Sequence, residues 1–409
     1  MNFLTSRLGA FVSPAQQQQQ QQRKGGRTPE ETIQYLADQV ETATLLEDKR
    51  AGIQTLKGLC HQYRELVIRI ALDPMLKVFV ENGPDHPRIA EYVLDSLYYL
   101  CSDEEGEDRQ RRENSVASEL KSAITRIISD ERVVATIYEM LANEEQHSVQ
   151  FAAINLLALL CGVVPDRIQA TVLEQPMHVD RLVDLLSSSQ DFIRSKSLEV
   201  LITMTRLDKT IQQIVVFKNI FERIFGMIAE QGGVRGNIVV EDCLTLTKNL
   251  LADNISNQNL FREMSWIRKL RELVDIDSAM NNANATEDDE YYEWDEQTNR
   301  NVCMALEIVR VLLEPGISST QDNQNEMQRC GLIQPLLQIS LEAEIPSLIR
   351  AQALLALAGL ISGNKRIQDI FQRTLVTATP IDEDGHEPLP GHGKKLIPEP
   401  AIVIIIRLA

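Results

Sequence analysis

The sequence predicts an all-α fold, an armadillo-like α-solenoid in which about seven helical repeats form a right-handed superhelix. Three observations lead to this prediction. Helix-type apolar spacing recurs along the chain at a period close to the ~40–47 residues of armadillo and HEAT repeats. Aromatic residues make up only 5% of the 409 residues, and aliphatic residues fill the apolar positions. No alternation typical of strands extends far enough to predict a sheet before the carboxyl-terminal residues.

The composition limits the classes of function. The hydrophobic fraction of 44% and the charged fraction of 24% are those of a globular protein. The net charge of −18 argues against a nucleic-acid partner, because like charges repel a polyanion. No apolar run approaches the ~20 residues that a membrane span needs, and the amino terminus lacks a secretory apolar segment. We therefore expect the protein to reside in the cytosol.

The amino-terminal residues 1–27 are expected to form a disordered tail that contains the glutamine tract Gln16–Gln22. Apolar residues near the start could instead form an amphipathic turn that touches a membrane. Only Arg7 supplies charge there, so a disordered tail is the favoured interpretation. Order is expected to begin at Thr28, which is followed by a proline and by Glu31 at the spacing of a capping box.

A twelve-residue pattern defines the repeats. Its fifth position is mostly small, and its sixth, ninth and twelfth positions are apolar apart from Thr247 at one ninth position, which places one apolar stripe along a helix. We expect the sixth position to be buried in every repeat, Leu244 and Leu354 included. The pattern occurs seven times, at Asp48–Leu59, Ile89–Leu100, Val149–Leu160, Ile193–Met204, Val239–Leu250, Asn301–Leu312 and Ile349–Leu360.

The spacing of these patterns indicates repeats with two insertions. Successive patterns start 41, 60, 44, 46, 62 and 48 residues apart. The two long steps contain polar, largely acidic insertions at residues 102–118 and 281–296, and removing about 16 residues restores the period. We expect both insertions to be mobile surface loops. A glutamine also recurs eight or nine residues after the twelfth position, at Gln169, Gln212, Gln258 and Gln368.

Each repeat is expected to contain a short helix and a second helix before the long one. Arg181–Leu186 and Phe221–Ile228 are examples of the helix that lies between two long ones. The armadillo-like head therefore spans residues 28–373. Residues 374–400 are rich in Pro, Gly and Asp and are expected to form a loop, after which residues 401–409 begin a further helix. Because a solenoid normally ends in a polar capping repeat, we expect the chain to stop inside the head.

Residues with catalytic or metal-binding spacing are lacking in the sequence. The six cysteines are far apart without a C-x-x-C pair, and the six histidines form no metal-binding pair. The glycine-rich stretch 232–236 lacks the Lys-Ser/Thr of a phosphate loop and is interpreted as a turn that ends a helix. We predict no catalytic residue, no metal site and no cofactor.

The polar residues between Gly236 and Glu263 are the candidate contact with a protein partner. The apolar residues of this stretch are explained by burial between helices. The polar turn that follows could equally be an ordinary helix stop with capping side chains. The candidate residues are Glu241, Asp242 and Asn249, which face the groove in the repeat alignment, and Asn254, Asn257, Gln258 and Asn259 in the turn.

Several blocks of this sequence resemble those of the general vesicular transport factor family, the long coiled-coil tethers of the Golgi. The most specific are Ile238–Leu244 (IVVEDCL) and Ser256–Asn259 (SNQN). The resemblance covers roughly residues 28–409. Further blocks are Met1–Leu4, Thr44–Arg50, Asp95–Tyr98, Pro176–Met177, Arg181–Leu186, Asn249–Leu251 and Pro400–Val403.

The resemblance implies a non-catalytic head, followed by a parallel coiled coil that makes the full-length protein a homodimer, and an acidic tail. Such proteins tether transport vesicles in endoplasmic-reticulum-to-Golgi and intra-Golgi traffic. The resemblance also implies recruitment by a Rab-family GTPase and peripheral association with Golgi and vesicle membranes. Contacts with golgins and SNARE proteins would lie mostly in regions that this chain lacks.

A second interpretation is a generic armadillo scaffold or a nuclear-import-type adaptor that binds peptides in its groove. Import adaptors line this groove with a ladder of Trp and Asn. In the alignment of the repeats the Trp position holds no tryptophan, and only Asn249 occupies an Asn position. The import function is therefore disfavoured, although the architecture is shared.

Overall fold

The structure, a computed structural model, describes residues 27–102, 109–142, 145–206, 208–276, 295–342, 345–376 and 398–408. For residues 109–118 and 406–408 it describes the backbone alone. The predicted tail up to residue 26 lies outside the described residues, as do residues 103–108 and 281–294 of the two predicted insertions.

The described residues form 22 α-helices, and long helices recur among them. From α3 to α20 the helices follow in sets of three that each end in a long helix, which is the armadillo arrangement; the first helix of a set is short except for α6, which has 21 residues. The helices are α1 Pro29–Thr42, α2 Leu46–Leu59, α3 Arg64–Ile70, α4 Leu72–Asn82, α5 Pro87–Cys101, α6 Arg109–Ser129, α7 Glu131–Met140, α8 His147–Val163, α9 Pro165–Glu174, α10 Met177–Leu185, α11 Asp191–Thr205, α12 Lys209–Val216, α13 Ile220–Glu230, α14 Ile238–Leu251, α15 Ile255–Glu263, α16 Trp266–Val274, α17 Glu296–Leu312, α18 Thr320–Arg329, α19 Ile333–Leu341, α20 Ser347–Ile361, α21 Lys365–Arg373 and α22 Ala401–Leu408.

Each of the seven predicted patterns lies inside one long helix, namely α2, α5, α8, α11, α14, α17 and α20. The predicted fold class, an all-α armadillo-like solenoid, is therefore confirmed. The chain divides into two compact parts, the first with Met1–Arg181 and Ser188–Lys196, the second with Leu182–Ser187 and Ser197–Ala409.

In the first part the long helices α2, α5 and α8 pack side by side in chain order. Their sixth pattern positions, Ile53, Leu94 and Ile154, are fully buried. The fifth position of α2 is Gly52, where a Cβ atom would lie only 2.8 Å from Cγ2 of Val40 in α1. A small residue is required at this position because helix α1 approaches so closely.

Order begins in this part with the predicted capping box. The Thr28 hydroxyl oxygen accepts a hydrogen bond from the backbone N–H of Glu31 at 3.2 Å. The Glu31 carboxylate in turn accepts one from the backbone N–H of Thr28 at 2.9 Å. Two donors that the first turn of α1 cannot satisfy are thereby paired, which fixes where the helix starts.

In the second part α14, α17 and α20 also pack in chain order. Leu244 and Leu306 are fully buried at the sixth position, as predicted. The same prediction is wrong for Leu354, whose side chain is 38% exposed. Helices α17 and α19 pack against α20, and the packing within the described ranges leaves Leu354 partly exposed.

Parts of the two predicted insertions belong to helices instead of loops. Ser102 ends α5, but residues 109–118 form the first turns of α6 instead of a loop. The stretch is polar, yet its Arg, Gln, Glu and Ala residues favour helix, so polarity alone did not indicate a loop. Asp295 and Glu296 likewise belong to α17, because the Asp295 carboxylate caps this helix by accepting from the backbone N–H of Thr298 at 2.6 Å.

The predicted loop 374–400 also differs at its ends. Leu375–Val376 (β1) pairs antiparallel with Glu399–Pro400 (β2), with Leu375 opposite Pro400. The backbone N–H of Ala401 donates to the carbonyl of Thr374 at 2.9 Å, so α22 starts beside the end of α21. Residues 377–397 lie outside the described residues.

The packing of the long helices predicts different costs for one substitution at equivalent positions. Leu306→Ala should lower the free energy of unfolding by about 3 kcal/mol, because it leaves a cavity in a fully buried site. Leu354→Ala should lower it by less than about 1 kcal/mol, because this side chain is partly exposed. Urea unfolding measures both changes. Equal costs for the two leucines would contradict the described packing.

Candidate functional site

The candidate site is built on α14, and glycine and asparagine fix the start of this helix. Asn237 caps it by accepting a hydrogen bond from the backbone N–H of Val239 at 3.0 Å. A Cβ atom at Gly236 would lie 2.5 Å from Cγ2 of Val240 and 2.7 Å from the carbonyl oxygen of Gln231. Only glycine fits this position, so the helix begins immediately after it.

The polar turn after α14 faces inward. Asn254 caps α15 by accepting from the backbone N–H of Asn257 at 3.3 Å. Its amide nitrogen donates to the side-chain oxygen of Gln212 at 2.9 Å and to the carbonyl of Lys209 at 3.3 Å. The cap of α15 is therefore also a contact with α12 of the preceding repeat.

The next two amides satisfy the end of α14. The Asn257 side chain donates to the carbonyl of Leu250 at 2.8 Å, and the Gln258 side chain donates to the carbonyl of Leu251 at 3.0 Å. The last carbonyls of a helix have no partner within it, so these amides replace the donors that the helix lacks. The oxygen of Gln258 then accepts from the hydroxyl of Ser319, at 2.6 Å, just before α18.

These contacts correct the prediction for three candidate residues. Asn254, Asn257 and Gln258 are at most 2% exposed, so they do not present a surface to a partner. Their contacts are those of the alternative, a capping turn. The turn contains more amides than a simple helix stop because it caps α15 and also binds the last carbonyls of α14. Asn259 is half-buried, and its oxygen accepts from the guanidinium of Arg262 at 3.0 Å.

The same arrangement accounts for three of the four recurring glutamines, Gln212, Gln258 and Gln368. The Gln212 amide donates to the carbonyl of Thr205 at 2.9 Å, and the Gln368 amide donates to the carbonyl of Ile361 at 3.0 Å. Asn323 takes this place in α18 and donates to the carbonyl of Leu312 at 2.9 Å. An amide near the start of the short helix thus binds the end of the preceding long helix in four successive positions.

Two of the predicted groove residues join long helices to each other. Glu241 accepts from the Gln297 amide at 2.9 Å and from Nε of Arg300 at 3.1 Å, both on α17. The amide of Asn249 donates to the carbonyl of Ile202 in α11 at 3.1 Å. Both side chains lie at intermediate exposure, and these contacts explain their polarity within the fold.

Asp242 is the candidate residue whose charge the fold stabilises least. Burial, together with the neighbouring charges of Glu241 and Glu199, raises the pKa of its carboxyl from 3.8 to about 6. At neutral pH the carboxylate is therefore ionised at a cost to the folded state. A cation brought by a partner would reduce this cost, because an opposite charge favours the ionised form.

A cleft of about 830 Å³ lies between α13 and α16, in a size range typical of ligand sites. Its floor contains Phe225 and Trp266, whose rings stack with centroids 5.4 Å apart. Gly232 and Gly233, both with positive φ, line it just after α13, so the glycine-rich stretch ends this helix as predicted, while Gly233–Arg235 form one turn of 3-10 helix. Sequence reasoning missed the cleft because its walls come from separate repeats.

The described part of the chain holds no group of three or more His, Cys, Asp or Glu side chains placed to bind a metal ion. Among the same residues no single helix is long and apolar enough to cross a bilayer, and one pair that meets the criteria jointly, α8 with α9, is bent by 118°. Burial raises the pKa of the Cys60, Cys101 and Cys243 thiols to about 12. These thiols are protonated at neutral pH and are therefore poor nucleophiles.

Comparison with known proteins gives relatives over almost the whole chain. Human "General vesicular transport factor p115" is 32% identical over 408 residues, which is 99% of this chain and 38% of the human protein. "Intracellular protein transport protein USO1" of Saccharomyces cerevisiae is 28% identical over 402 residues, 92% of this chain and 22% of the yeast protein. The chain therefore spans well under half the length of these relatives. No family model matches it.

A solved structure also matches almost the whole chain. The structure of "Uso1-2" matches with a TM-score of 0.83 at 26% identity, over 98% of this chain and 59% of the Uso1-2 chain. The match covers both compact parts of the chain. Fold and sequence thus indicate the same relatives.

The raised pKa of Asp242 predicts a pH-dependent gain from Asp242→Asn. The folded wild type binds the proton more tightly than the unfolded chain, so its free energy of unfolding falls as the pH rises from about 4 to about 6. The substitution should therefore stabilise by about 1 kcal/mol at pH 7.5, after allowance for solvent screening, and by almost nothing near pH 4. Thermal unfolding across this pH range measures the difference.

Glu263→Gln is the matched control, because it removes an exposed carboxylate from α15 and should change the melting temperature little at any pH. A gain from Asp242→Asn that is equal at pH 4 and pH 7.5 would contradict the assignment of the raised pKa.

Proposed function

The chain belongs to the family of general vesicular transport factors, and we propose that it acts as a non-catalytic head that docks transport vesicles. The observation that carries this proposal is the 32% identity to the human relative over 99% of this chain. The matched structure supports it, because the similarity extends over the fold as well as the sequence. The chain covers 38% of the human protein, so the activity of the whole protein is part of the proposal.

The proposed place of action is endoplasmic-reticulum-to-Golgi and intra-Golgi traffic, at the cytoplasmic face of Golgi and vesicle membranes with peripheral attachment. The proposed recruiter is a Rab-type GTPase that the head binds directly. Golgins and SNARE proteins are proposed as further partners of the full-length homodimer, through regions beyond this chain. The names of the relatives, which specify vesicular and intracellular protein transport, support the direction of this proposal.

A non-catalytic role is supported by the protonation state of three buried cysteine thiols. The buried thiols of Cys60, Cys101 and Cys243 are protonated at neutral pH, since burial raises the pKa of each to about 12. A thiol acts as a nucleophile in its thiolate form, so these three residues fit a structural role. Their positions inside or beside the long helices agree with packing as small hydrophobic groups.

The proposed partner surface is the part of the candidate site that remains accessible, with Asp242 at its centre. Glu241 and Asn249 flank it on the same long helix, and Asn259 lies beyond the turn. A basic side chain of the partner would gain a charge-assisted contact with Asp242 and would also lower the pKa of this carboxyl. We therefore expect the partner to present Arg or Lys at this surface.

The test is to immobilise the chain and measure binding of a panel of purified Rab-type GTPases, each loaded with GDP or with a non-hydrolysable GTP analogue. Binding of at least one GTPase in its GTP form is expected. Asp242→Lys should weaken it about tenfold, which corresponds to about 1.4 kcal/mol. Glu139→Lys, an equal charge reversal on the exposed side of α7, should leave it unchanged.

Melting temperatures of both variants separate lost binding from lost folding. The proposal fails for this surface if Asp242→Lys and Glu139→Lys weaken binding equally. The GTPase part fails entirely if no member of the panel binds in a nucleotide-dependent way. Binding of basic peptides without any GTPase binding would instead support the scaffold interpretation.

A further inference from the structure

Two short turns in the second part of the chain expose large apolar side chains. Phe217 ends α12 and is 73% exposed, the highest value for a large apolar side chain among the described residues. Met264 ends α15 in the next repeat and is 60% exposed. A residue with positive φ, Asn219 or Ser265, then lies directly before the following helix. The same kind of turn therefore occurs twice, each time with an apolar residue at its surface.

Aromatic contacts beside these turns hold the two turns next to each other. Phe221 lies one turn beyond Phe217, at the start of α13. Its ring packs edge-to-face on Phe261 of α15, with centroids 4.9 Å apart, and its centroid lies 6.5 Å from that of the Trp266 ring at the start of α16. Met264 lies between Phe261 and Trp266 in the sequence. The two exposed side chains therefore lie at one edge of the second part, where α12 packs against α15.

The charges at this edge differ from those of the whole chain. The chain has a net charge of −18, but residues 209–221 contain two lysines and no acid, and residues 264–271 contain three basic residues and no acid. Lys218 and Arg268 are exposed beside the two turns. The other two basic residues of α16 are paired with carboxylates. The edge thus combines exposed apolar side chains with exposed cations.

We propose that this edge, formed by Phe217, Lys218, Met264 and Arg268, binds the surface of a phospholipid bilayer that contains anionic lipid. The two apolar side chains enter the boundary between headgroups and acyl chains, and the two cations contact lipid phosphates. An anionic membrane repels the net negative charge of the chain, so the contact is confined to this locally basic edge. The inference rests on the peripheral membrane attachment of the proposed function and assigns it a direct lipid contact.

The form of the edge favours a bilayer over a folded protein partner. Phe217 and Met264 protrude from turns, and neither residue lines the cleft between α13 and α16. A stable protein interface buries about 800 Å² of complementary surface on each partner. A bilayer interface accepts separate apolar side chains, and its binding grows with the apolar area buried and with the attraction of cations to anionic lipid.

Sedimentation of the whole chain with vesicles of 70% phosphatidylcholine and 30% phosphatidylserine tests this proposal. The wild type should bind, and Phe217→Ser with Met264→Ser should weaken binding about tenfold, because the apolar contact is lost. Lys218→Glu with Arg268→Glu should weaken it about fivefold or more. Leu348→Ser is the matched control and should bind like the wild type, since Leu348 is a 63% exposed side chain of α20 outside this edge. Melting temperatures of all variants separate lost binding from lost folding.

A second measurement locates the contact. Phe217→Trp places a tryptophan at the edge, and brominated phosphatidylcholine in the same vesicles should quench its fluorescence beyond the quenching of the wild type. Leu348→Trp should add a tryptophan that the brominated lipid does not quench. Equal added quenching at the two positions would show adsorption without a preferred edge and would contradict the proposal.

Three sedimentation and binding results would overturn the proposal. A wild type that stays in solution would exclude the bilayer as the partner of this edge. Equal vesicle binding by the wild type and by Phe217→Ser with Met264→Ser would assign the contact to other residues. Loss of GTPase binding in that double variant, without vesicle binding by the wild type, would assign the edge to a protein. The vesicle assay contains no GTPase and the GTPase panel contains no lipid, so the lipid contact and the GTPase contact fail independently.

Discussion

The carbonyl groups at the carboxyl ends of the long helices are the constraint on which the second part of the chain depends. These helices end inside the protein, where an unpaired carbonyl costs about 1–3 kcal/mol. The fold meets this cost with amides from the next short helix, as Gln258 does for Leu251. The same amide then offers its oxygen to the repeat that follows, through Ser319. One side chain therefore ends a helix and joins two repeats.

The pattern continues on both sides of this pair. Gln212 accepts from Asn254, and Gln324 accepts from Asn364 at 3.2 Å. Neutral amides suit this role, because each supplies a donor and an acceptor without the desolvation cost of a charge. The amides that join repeats, Gln212, Gln258 and Gln324 with their partners Asn254 and Asn364, are buried and form part of the core, whereas Gln368 at the end of the row is exposed.

The periodic features of the fold could be predicted from the sequence, and the features that depend on neighbours could not. The seven patterns predicted seven long helices because apolar spacing reports which side of a helix is buried. Leu354 shows the limit, since its exposure depends on what packs beyond α20 and its own sequence does not show this. The amide turn was misassigned for a related reason: an excess of Asn and Gln does not say whether the side chains point inward. Residues 109–118 were misassigned because polarity does not distinguish an exposed helix from a loop.

The candidate site contains fewer residues than the sequence predicted, because Asn254, Asn257 and Gln258 are buried. Glu241 and Asn249 have partners on neighbouring long helices, whereas Asp242 carries a charge that the fold disfavours. Such a residue costs stability unless a partner supplies a cation, which is consistent with a surface kept for binding. Family membership indicates what kind of partner to test, and the structure indicates where to test it.

The most direct test of the central claim is a double-mutant cycle on the amide pair that joins two repeats. Gln212→Met removes the acceptor with little change of shape, and Asn254→Ser keeps an oxygen to cap α15 but removes the side-chain amide that donates to Gln212. Urea unfolding of the wild type, both single variants and the double variant gives their coupling energy. If buried amides connect the repeats, the coupling is about 1 kcal/mol or more. Costs that add within about 0.3 kcal/mol would show that the two residues act independently, and they would contradict the account.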